Sequence, residues 1–284
     1  MKNLGDEFIW WFGVVEARDD PLELGRVRVR CFSFHSANKT EVPTASLPWA
    51  QTINPVTSAS MGDIGSTSGL VEGSWVIGFF LDGHEAQRPM VFGTIAGIPT
   101  DFADITKGFN DPTGTYPTRI EEPDVSRRAR GIKNITKVTD PTIDEPNDPY
   151  AAVYPRNHTM QTESGHLLEF DDTPGAERIH IYHNSGTFIE IHPNGDVVTQ
   201  HKNGWRSVTG NDRLHITGDM EVIIDGNITW TVAGNMTTDV AGNVITNIAG
   251  SLTEVAASGD IIVDAISLKT HTHTLGSDTT SGPI

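Results

Sequence analysis

The chain has 284 residues, of which 37 are acidic and 20 are basic, so its formal net charge is −17. This charge disfavours binding to nucleic-acid backbones and to anionic membrane surfaces, and no apolar run approaches the roughly 18–20 residues of a membrane-spanning helix. The lone cysteine, Cys31, excludes an intrachain disulfide and fits folding in a reducing cytoplasm.

Residues 8–97 consist of short strand-like stretches separated by turns. FIWWFGVVEA is followed by the turn-rich RDDPLELG and by the alternating stretch RVRVRCF. SWVIGFFLDG and PMVFGTIAG are apolar runs closed by glycine, which is typical of buried strands. About five short strands in this length favour a small closed barrel, which we place at residues 1–98.

Residues 99–157 form a polar, proline-rich segment. The prolines of this stretch are Pro99, Pro112, Pro117, Pro123, Pro141, Pro146, Pro149 and Pro155. The pattern predicts a linker or an irregular wrapping segment, with one short helix near residues 125–130.

Strand alternation returns at residues 158–205, in HLLEFDD, RIHIYHN and TFIEIHPNGDVV. Asn194-Gly195 is a strong signal for a hairpin between the last two strands. His180, His183 and His192 lie on these strands and do not form a recognisable set of metal ligands, so we expect ordinary hydrogen-bonded or exposed histidines.

Residues 206–275 repeat with a period of eight. Glycine recurs in strict register at positions 210, 218, 226, 234, 242 and 250. Even positions after each glycine are mostly apolar and odd positions mostly polar, which predicts an octad strand with one buried face. Glycine would supply the bend between octads and allow close approach of another backbone.

One such strip of octads is too thin to bury its own apolar face. Several copies wrapped around a common axis would cover it as a β-helix or β-prism, and a single-chain solenoid is the alternative. Residues 276–284 would form the tip.

Four stretches together resemble the central spike proteins of contractile phage tails and the related VgrG spikes of type VI secretion. VVEARDDPLELGRVRVRCF and LVEGSWVIGFFLDGHEAQRPMVFGTIAG resemble the opening and the closing strands of their N-terminal OB-fold. TESGHLLEFDDTPGAERIHIYHNSGTFIEIHPNGDVV resembles the start of their spike, and the octads resemble their trimeric β-helix.

The resemblance implies an all-β homotrimer, with an OB-fold barrel followed by an intertwined β-helix. The OB-folds would dock on a baseplate hub protein, and the spike would transiently cross the host outer membrane when the sheath contracts. It implies a structural protein of the virion, at the tip of the tail baseplate and assembled in the host cytoplasm. A VgrG-like secretion spike is the alternative.

Some spikes of this family carry a lysozyme domain, so we considered an enzyme. Eight residues separate Glu163 from Asp172, as in phage-type lysozymes, but Arg178 replaces the expected threonine. Both carboxylates lie in alternating strand sequence, and the linker is too short and proline-rich for such a domain. We therefore predict no catalytic residues.

OB-folds often bind single-stranded nucleic acid, which raises another alternative. Arg26, Arg28 and Arg30 alternate with valines, so their guanidinium groups should share one strand face. Three tryptophans could stack on bases: Trp10, Trp11 and Trp49. The net charge disfavours nucleic acid, and an acidic surface of the hub protein suits the arginine face better.

The stretch KTHTHTLG, residues 269–276, carries a candidate metal site. In a strand, His271 and His273 leave the same face, so three copies would offer six imidazole nitrogens around the axis. Six imidazoles form an octahedron, a geometry that disfavours structural zinc. The family resemblance points to Fe2+, one ion per trimer, and another octahedral divalent metal is the alternative.

Overall fold

The computed structural model of the chain describes residues 8–62, 64–96, 125–140, 146–255, 258–264, 266–270, 272, 274–275 and 278–279. The chain divides into two compact units, Met1–Val208 and Thr209–Ile284. Over the described ranges, helix is limited to two short 3-10 turns, Thr44–Ser46 and Gly83–Glu85. None of the helices in these ranges is long and apolar enough to cross a membrane. The predicted all-β class is confirmed.

The N-terminal part of the first unit is a closed five-stranded barrel in the order β1-β2-β3-β5-β4. Its strands are β1 (Ile9–Ala17), β2 (Val27–Cys31), β3 (Trp49–Thr52), β4 (Trp75–Phe80) and β5 (Pro89–Thr94). All neighbouring pairs are antiparallel except β3 and β5, which are parallel. The predicted small barrel is therefore confirmed.

The core of the barrel is apolar and comes from alternate positions of its strands. Trp11, Val15, Val29, Val76 and Phe80 are among its buried side chains. Burying such side chains contributes roughly 1.5–3 kcal/mol each to the free energy of folding. The barrel therefore has an apolar core made of its own side chains.

The apolar run SWVIGFFLDG predicts a buried strand, which is correct for only one face of β4. Val76, Gly78 and Phe80 are buried, whereas the alternate residues Trp75 and Phe79 remain half-buried on the outer face. Gly78 is required at its position, because a Cβ there would lie 2.1 Å from the carbonyl oxygen of Met90.

The second half of this unit is an antiparallel sheet in the order β10-β9-β8-β7-β6. Its strands are β6 (Asn157–Gln161), β7 (Leu167–Asp171), β8 (Arg178–Tyr182), β9 (Phe188–Ile191) and β10 (Val197–Gln200). Asn194-Gly195 forms the turn between β9 and β10, with Gly195 at φ +89°, so the predicted hairpin is confirmed.

Residues 125–140 lie over one face of this sheet. The short helix expected near residues 125–130 is instead a compact turn, in which the amide of Arg130 donates to the carbonyl of Ser126 and the amide of Ile132 to that of Arg127. Farther along, the amide of Val138 donates to the carbonyl of Gly186 at 2.9 Å. This path places Arg128 and Lys137 against the sheet.

In its described residues, the second unit contains the octads and four short strands. The backbone bends at each octad glycine and at the residue before it, so the predicted bends are confirmed. The intervening stretches of residues 209–255 form no strand pairs within the chain. The short strands are β11 (Ile262–Val263), β12 (Ile266–Ser267), β13 (Thr274–Leu275) and β14 (Asp278–Thr279), paired β11 with β12 and β13 with β14.

Candidate functional site

The outer face of the five-stranded sheet is apolar and exposed. Alternate positions of its strands carry large apolar side chains that are 38–70% exposed, namely Met160, Phe170, Ile179, Ile181, Ile189, Ile191 and Val197. Ile181 lies at the centre, where it pairs with Leu168 on one side and Ile189 on the other. A contiguous apolar face of this kind marks an interaction surface.

The opposite face of the same sheet is buried and strongly charged. Glu169 of β7 accepts hydrogen bonds from Arg128 at 3.0 and 3.3 Å and from Asn157 at 2.6 Å. Arg178 lies 2.9 Å from the same carboxylate, and His180 Nδ1 lies 3.2 Å from it. All these side chains are buried. A buried charge is costly unless it is paired and hydrogen-bonded, so the contacts are needed for the cluster to be stable.

A second buried carboxylate, Glu190 of β9, lies beside the first cluster. Arg178 Nη1 donates to it at 2.8 Å. Lys137 donates to it as well, from residues 125–140, which lie over this face and are called the covering segment. Arg178 therefore connects Glu190 with Glu169. The covering segment supplies two cations, and the strands supply the carboxylates that they meet.

The electrostatics of the cluster keep both carboxylates ionised. Burial works to raise the pKa of Glu169, but hydrogen bonds from His180 and Arg128 and the charge of Arg178 outweigh it and hold that pKa far below its usual range. Burial likewise opposes ionisation of Glu190, and Lys137 lowers its pKa overall. Burial lowers the pKa of His180 despite its contact with Glu169, so this imidazole stays neutral.

Tyr150 closes the cluster from the covering side. Its ring lies 3.6 Å from the guanidinium carbon of Arg128, and its hydroxyl donates to the carbonyl of Arg128 at 2.6 Å. Tyr182 donates to the carbonyl of Thr136 at 3.0 Å. The segment is thus held to the sheet by cations, an aromatic ring and backbone contacts. The spacing of residues in the sequence does not predict this cluster. A signal for it is that Glu169, Arg178, His180 and Glu190 lie at alternate positions of neighbouring strands.

His180 and His183 have the expected roles on this sheet. His180 is buried against Glu169, whereas the exposed His183 contacts the hydroxyl of Ser185 at 2.8 Å. His192 is buried with Nε2 3.3 Å from Glu190. Over the residues that the structure describes, no group of three or more His, Cys, Asp and Glu side chains could hold a metal ion. His271 and His273 lie outside the described residues.

The two carboxylates considered for catalysis do not form a pair. Glu163 accepts two hydrogen bonds from Arg18 of the barrel, at 2.7 and 2.8 Å. Asp172 lies 3.6 Å from His158, and both of these side chains are largely exposed. Glu163 is paired with an arginine and Asp172 is largely exposed, so neither has the apolar surroundings of a catalytic acid.

Arg26 and Arg28 share one face, over the ring of Trp49, as predicted, but the arginines are engaged within the barrel rather than open to a partner. Arg30 is buried and donates to Glu16 at 2.6 and 3.0 Å, while Arg26 donates to Asp20 at 2.6 and 2.9 Å. Arg28 donates to the backbone carbonyls of residues 44, 45 and 47. These guanidinium groups stabilise the loops of their own barrel, because each alternate position faces a carboxylate or a carbonyl. They do not form a surface for a nucleic acid or for an acidic partner.

The three tryptophans are also separated. Trp11 is buried in the barrel core, and Trp49 lies beneath Arg28, whose guanidinium carbon is 4.6 Å from the ring centroid. Trp10 alone of the three is strongly exposed, at 50%. They do not build a stacking platform.

The octads of the second unit expose their apolar positions in a regular way. The sixth residue after each glycine is 45–48% exposed in five successive octads, at Ile216, Ile224, Val232, Val240 and Ile248. The second position is likewise exposed at Met220, Ile228, Met236, Val244 and Leu252. A Cβ built on any of the six octad glycines would meet nothing within 4 Å in this chain.

Comparisons with known proteins agree with this architecture. Residues 33–165 match the family described as the Gp5 N-terminal OB domain, a range that starts after β2 and ends between β6 and β7. The chain is 38% identical to Protein Gp5 of Vibrio phage KVP40 over 244 aligned residues. The aligned region covers 69% of this chain and 58% of that protein. It is 44% identical to the pre-baseplate central spike protein Gp5 of Enterobacteria phage T4 over 126 aligned residues. This aligned region covers 42% of this chain and 22% of that protein.

The chain thus spans a little over half of one of these curated relatives and less than a quarter of the other. Both are phage proteins, and the T4 relative is named as a central spike. The resemblance to phage central spike proteins is therefore confirmed.

Proposed function

We propose, because this chain is related to the central spike proteins of phage baseplates, that three copies of it form the structural central spike of a contractile phage tail. The spike lies at the tip of the tail baseplate in the virion and is assembled in the host cytoplasm. It pierces the host outer envelope mechanically when the sheath contracts, and it catalyses no reaction.

One observation carries this proposal: the chain exposes apolar side chains where a stable protein would cover them. The outer sheet face is apolar while its inner face is charged, and the octads expose an apolar side chain at nearly every second position. Such surfaces are covered by association, and identical copies are the simplest cover for a repeating strip. Wrapping around a threefold axis also removes every strand edge of the octads.

The buried charges of the first unit suit a part that carries load. Two cations of the covering segment, Arg128 and Lys137, meet two buried carboxylates of the sheet, Glu169 and Glu190. Separating such pairs leaves charges buried without partners, which is costly. The covering segment therefore stays attached to the base of the spike.

A large negative charge suits passage through an envelope. Each chain carries a formal charge of −17, and three copies carry three times as much. Anionic lipopolysaccharide and lipid headgroups repel such a surface, so the spike does not adhere to what it crosses. The host outer membrane is a transient partner, and nucleic acid is not a partner.

A metal ion would fasten the tip. His271 and His273 of three copies together supply six imidazoles for one octahedral ion, Fe2+ or another divalent metal of that geometry. This part of the proposal rests on the spacing of the two histidines and on the resemblance to spike tips. Chain ends fray unless they are tied down, and a shared ion would hold three of them together.

Antibody labelling of intact virions tests the proposed location. An antibody raised against the barrel, residues 8–96, should label the baseplate end of the tail and no other part of the particle. Labelling of the capsid or of the sheath, or labelling of infected cells without labelling of virions, would contradict the assignment. A VgrG-like secretion spike would give a particle-free bacterial signal, and the phage origin of both relatives disfavours it.

A further inference from the structure

The chain contains two Asn-Gly pairs close together in sequence, and they lie in different surroundings. Asn194-Gly195 forms the hairpin turn between β9 and β10, whereas Asn203-Gly204 lies beyond the end of β10. An Asn-Gly pair can rearrange chemically, because the amide nitrogen of a glycine, which has no side chain, can reach the carboxamide carbon of the asparagine before it. In a folded protein this reaction depends on how freely the two groups move.

Both reacting groups of the first pair are held by hydrogen bonds. The amide of Gly195 donates to the carbonyl of His192 at 2.9 Å. The carboxamide of Asn194 binds Asp196 twice, since its Nδ2 donates to the carboxylate at 2.7 Å and its Oδ1 accepts from the backbone amide at 3.1 Å. Attack of the Gly195 nitrogen on this carboxamide would therefore break several hydrogen bonds together, each of which stabilises the turn.

The second pair lacks these constraints. Asn203 and Gly204 are exposed and lie outside any strand. Within the described residues, no hydrogen bond engages the carboxamide of Asn203 or the amide of Gly204. The two groups are therefore free to turn towards each other, and water has access to the product of their reaction.

An imidazole lies against the glycine of this second pair. A Cβ built on Gly204 would lie 2.8 Å from Cε1 of His201 and 3.4 Å from its Nε2. Imidazole is the side chain that accepts a proton most readily near neutral pH, and removal of the amide proton makes a backbone nitrogen a better nucleophile. Gly204 is thus unhindered by a side chain and adjacent to a base.

We propose that Asn203 is a site of spontaneous deamidation, with His201 as the base that assists it. The nitrogen of Gly204 bonds to Cγ of Asn203, the bond from Cγ to Nδ2 breaks, and the amide proton passes through the imidazole to the ammonia that leaves. One water molecule then hydrolyses the cyclic imide at either carbonyl, which yields aspartate or isoaspartate. Each event places a new carboxylate seven residues before Gly210, the first octad glycine. The inference does not depend on the proposed function.

Incubation of the full-length protein at about pH 8 and about 37 °C, followed by peptide mass spectrometry, tests this inference. Cleavage after Glu190 and Glu221 releases residues 191–221 as one fragment that carries both pairs. In the folded protein Asn203 should convert at least about tenfold faster than Asn194, because the turn adds the loss of hydrogen bonds to the barrier. In denaturant the two rates should lie within about threefold of each other, because those bonds are absent.

Two variants with the same substitution test the role of the imidazole. His201→Gln should slow the conversion of Asn203 at least about threefold, because a nearby general base accelerates a step that removes a proton. His215→Gln, at another exposed histidine, should leave the rate unchanged.

Three outcomes would overturn the deamidation site. Equal rates of the two asparagines in the folded protein would mean that the turn does not protect Asn194. A difference of the same size in denaturant would mean that local sequence, and not the fold, sets the rates. Conversion of Asn203 in denaturant alone would mean that this residue is covered in the assembled protein. An unchanged rate in His201→Gln would exclude the imidazole as the base.

Discussion

Arg128, in the turn that precedes the sheet, lies across Glu169 of β7, with its Nη2 3.0 Å from Oε2 and its Nε 3.3 Å from Oε1. The two residues are 41 positions apart in the chain, and both side chains are almost fully buried. The pair therefore joins the proline-rich segment to a strand through charge, in addition to the apolar contact of Ile135 with the cluster of Leu167, Tyr182 and Phe188. Arg178, His180 and Asn157 complete the surroundings of the carboxylate.

Neutralising that carboxylate should destabilise the protein strongly. Glu169→Gln leaves Arg128 buried without its counter-charge and leaves Arg178 with Glu190 as its hydrogen-bonded carboxylate, and breaking such a buried pair costs about 3 kcal/mol or more. The measurement is the free energy of unfolding in denaturant at a fixed chain concentration. The control is Glu163→Gln, which removes the exposed partner of Arg18 and should cost about 1 kcal/mol or less. Equal losses for the two variants would contradict the role given to the cluster.

Stability should fall as the solution becomes acidic. The pKa of His180 is lowered in the folded chain from 6.5, so the unfolded chain binds more protons below that pH and is favoured as pH falls. The pKa values of Glu169 and Glu190 are lowered from 4.5, so their contribution is present above that value and is lost below it. His35 of the barrel, whose pKa burial also lowers, acts in the same direction.

Denaturant midpoints measured from pH 8 to pH 3.5 check this expectation. The midpoint should stay level above about pH 7, decline below about 6.5 and decline more steeply below about 4.5. His180→Gln should reduce the first decline, and the exposed His183→Gln should not change it. A midpoint that rises on acidification would contradict the buried neutral histidine.

The strand pattern predicted much of the fold because period-two alternation reports which residues share a face. It identified β7, β8 and β9 and the Asn194-Gly195 turn that joins the last hairpin. The alternation did not predict which face of the sheet is buried by other residues of the same chain. In RIHIY the covered side chains are Arg178, His180 and Tyr182, while the two isoleucines point outward.

Which face of the sheet is buried depends on contacts between residues that are distant in the sequence. Glu169 is buried because Arg128, 41 residues earlier, folds back over it. The arginine face of β2 is likewise covered by partners that strand alternation does not report, since Glu16, 14 residues before Arg30, and Asp20, six residues before Arg26, accept hydrogen bonds from these arginines. Alternation predicts the faces, and partners far away in sequence decide their environment.

Gly242→Val tests whether the octads pack against other copies. Within one chain a Cβ at this glycine meets nothing within 4 Å, and the backbone there does not have positive φ, so an isolated chain should tolerate valine. If backbones of other copies approach closely, the substitution repeats three times around the axis and should cost several kcal/mol, about 3 or more per trimer. Resistance to heat and SDS is the measurement, and Gly69→Val, at another open glycine, is the control. Unchanged resistance of Gly242→Val would contradict close packing at the octads.

The tip site predicts a defined metal content. Elemental analysis of the purified full-length protein should find close to one ion for every three chains, with iron as the expected element. Replacing His271 and His273 by alanine should abolish the metal, and His201→Ala with His215→Ala should leave it unchanged. Protein without metal, or with one ion per chain, would exclude a site shared by three copies.

The mass of the full-length chain in solution tests the central claim most directly. One chain has a mass of 30.8 kDa, so light scattering behind size exclusion should give three times this value, about 92 kDa, at low micromolar chain concentration. The apolar sheet face and the octads would then be covered by identical copies. A monodisperse species near 31 kDa would contradict the trimeric spike, because one chain would then keep both apolar surfaces in water.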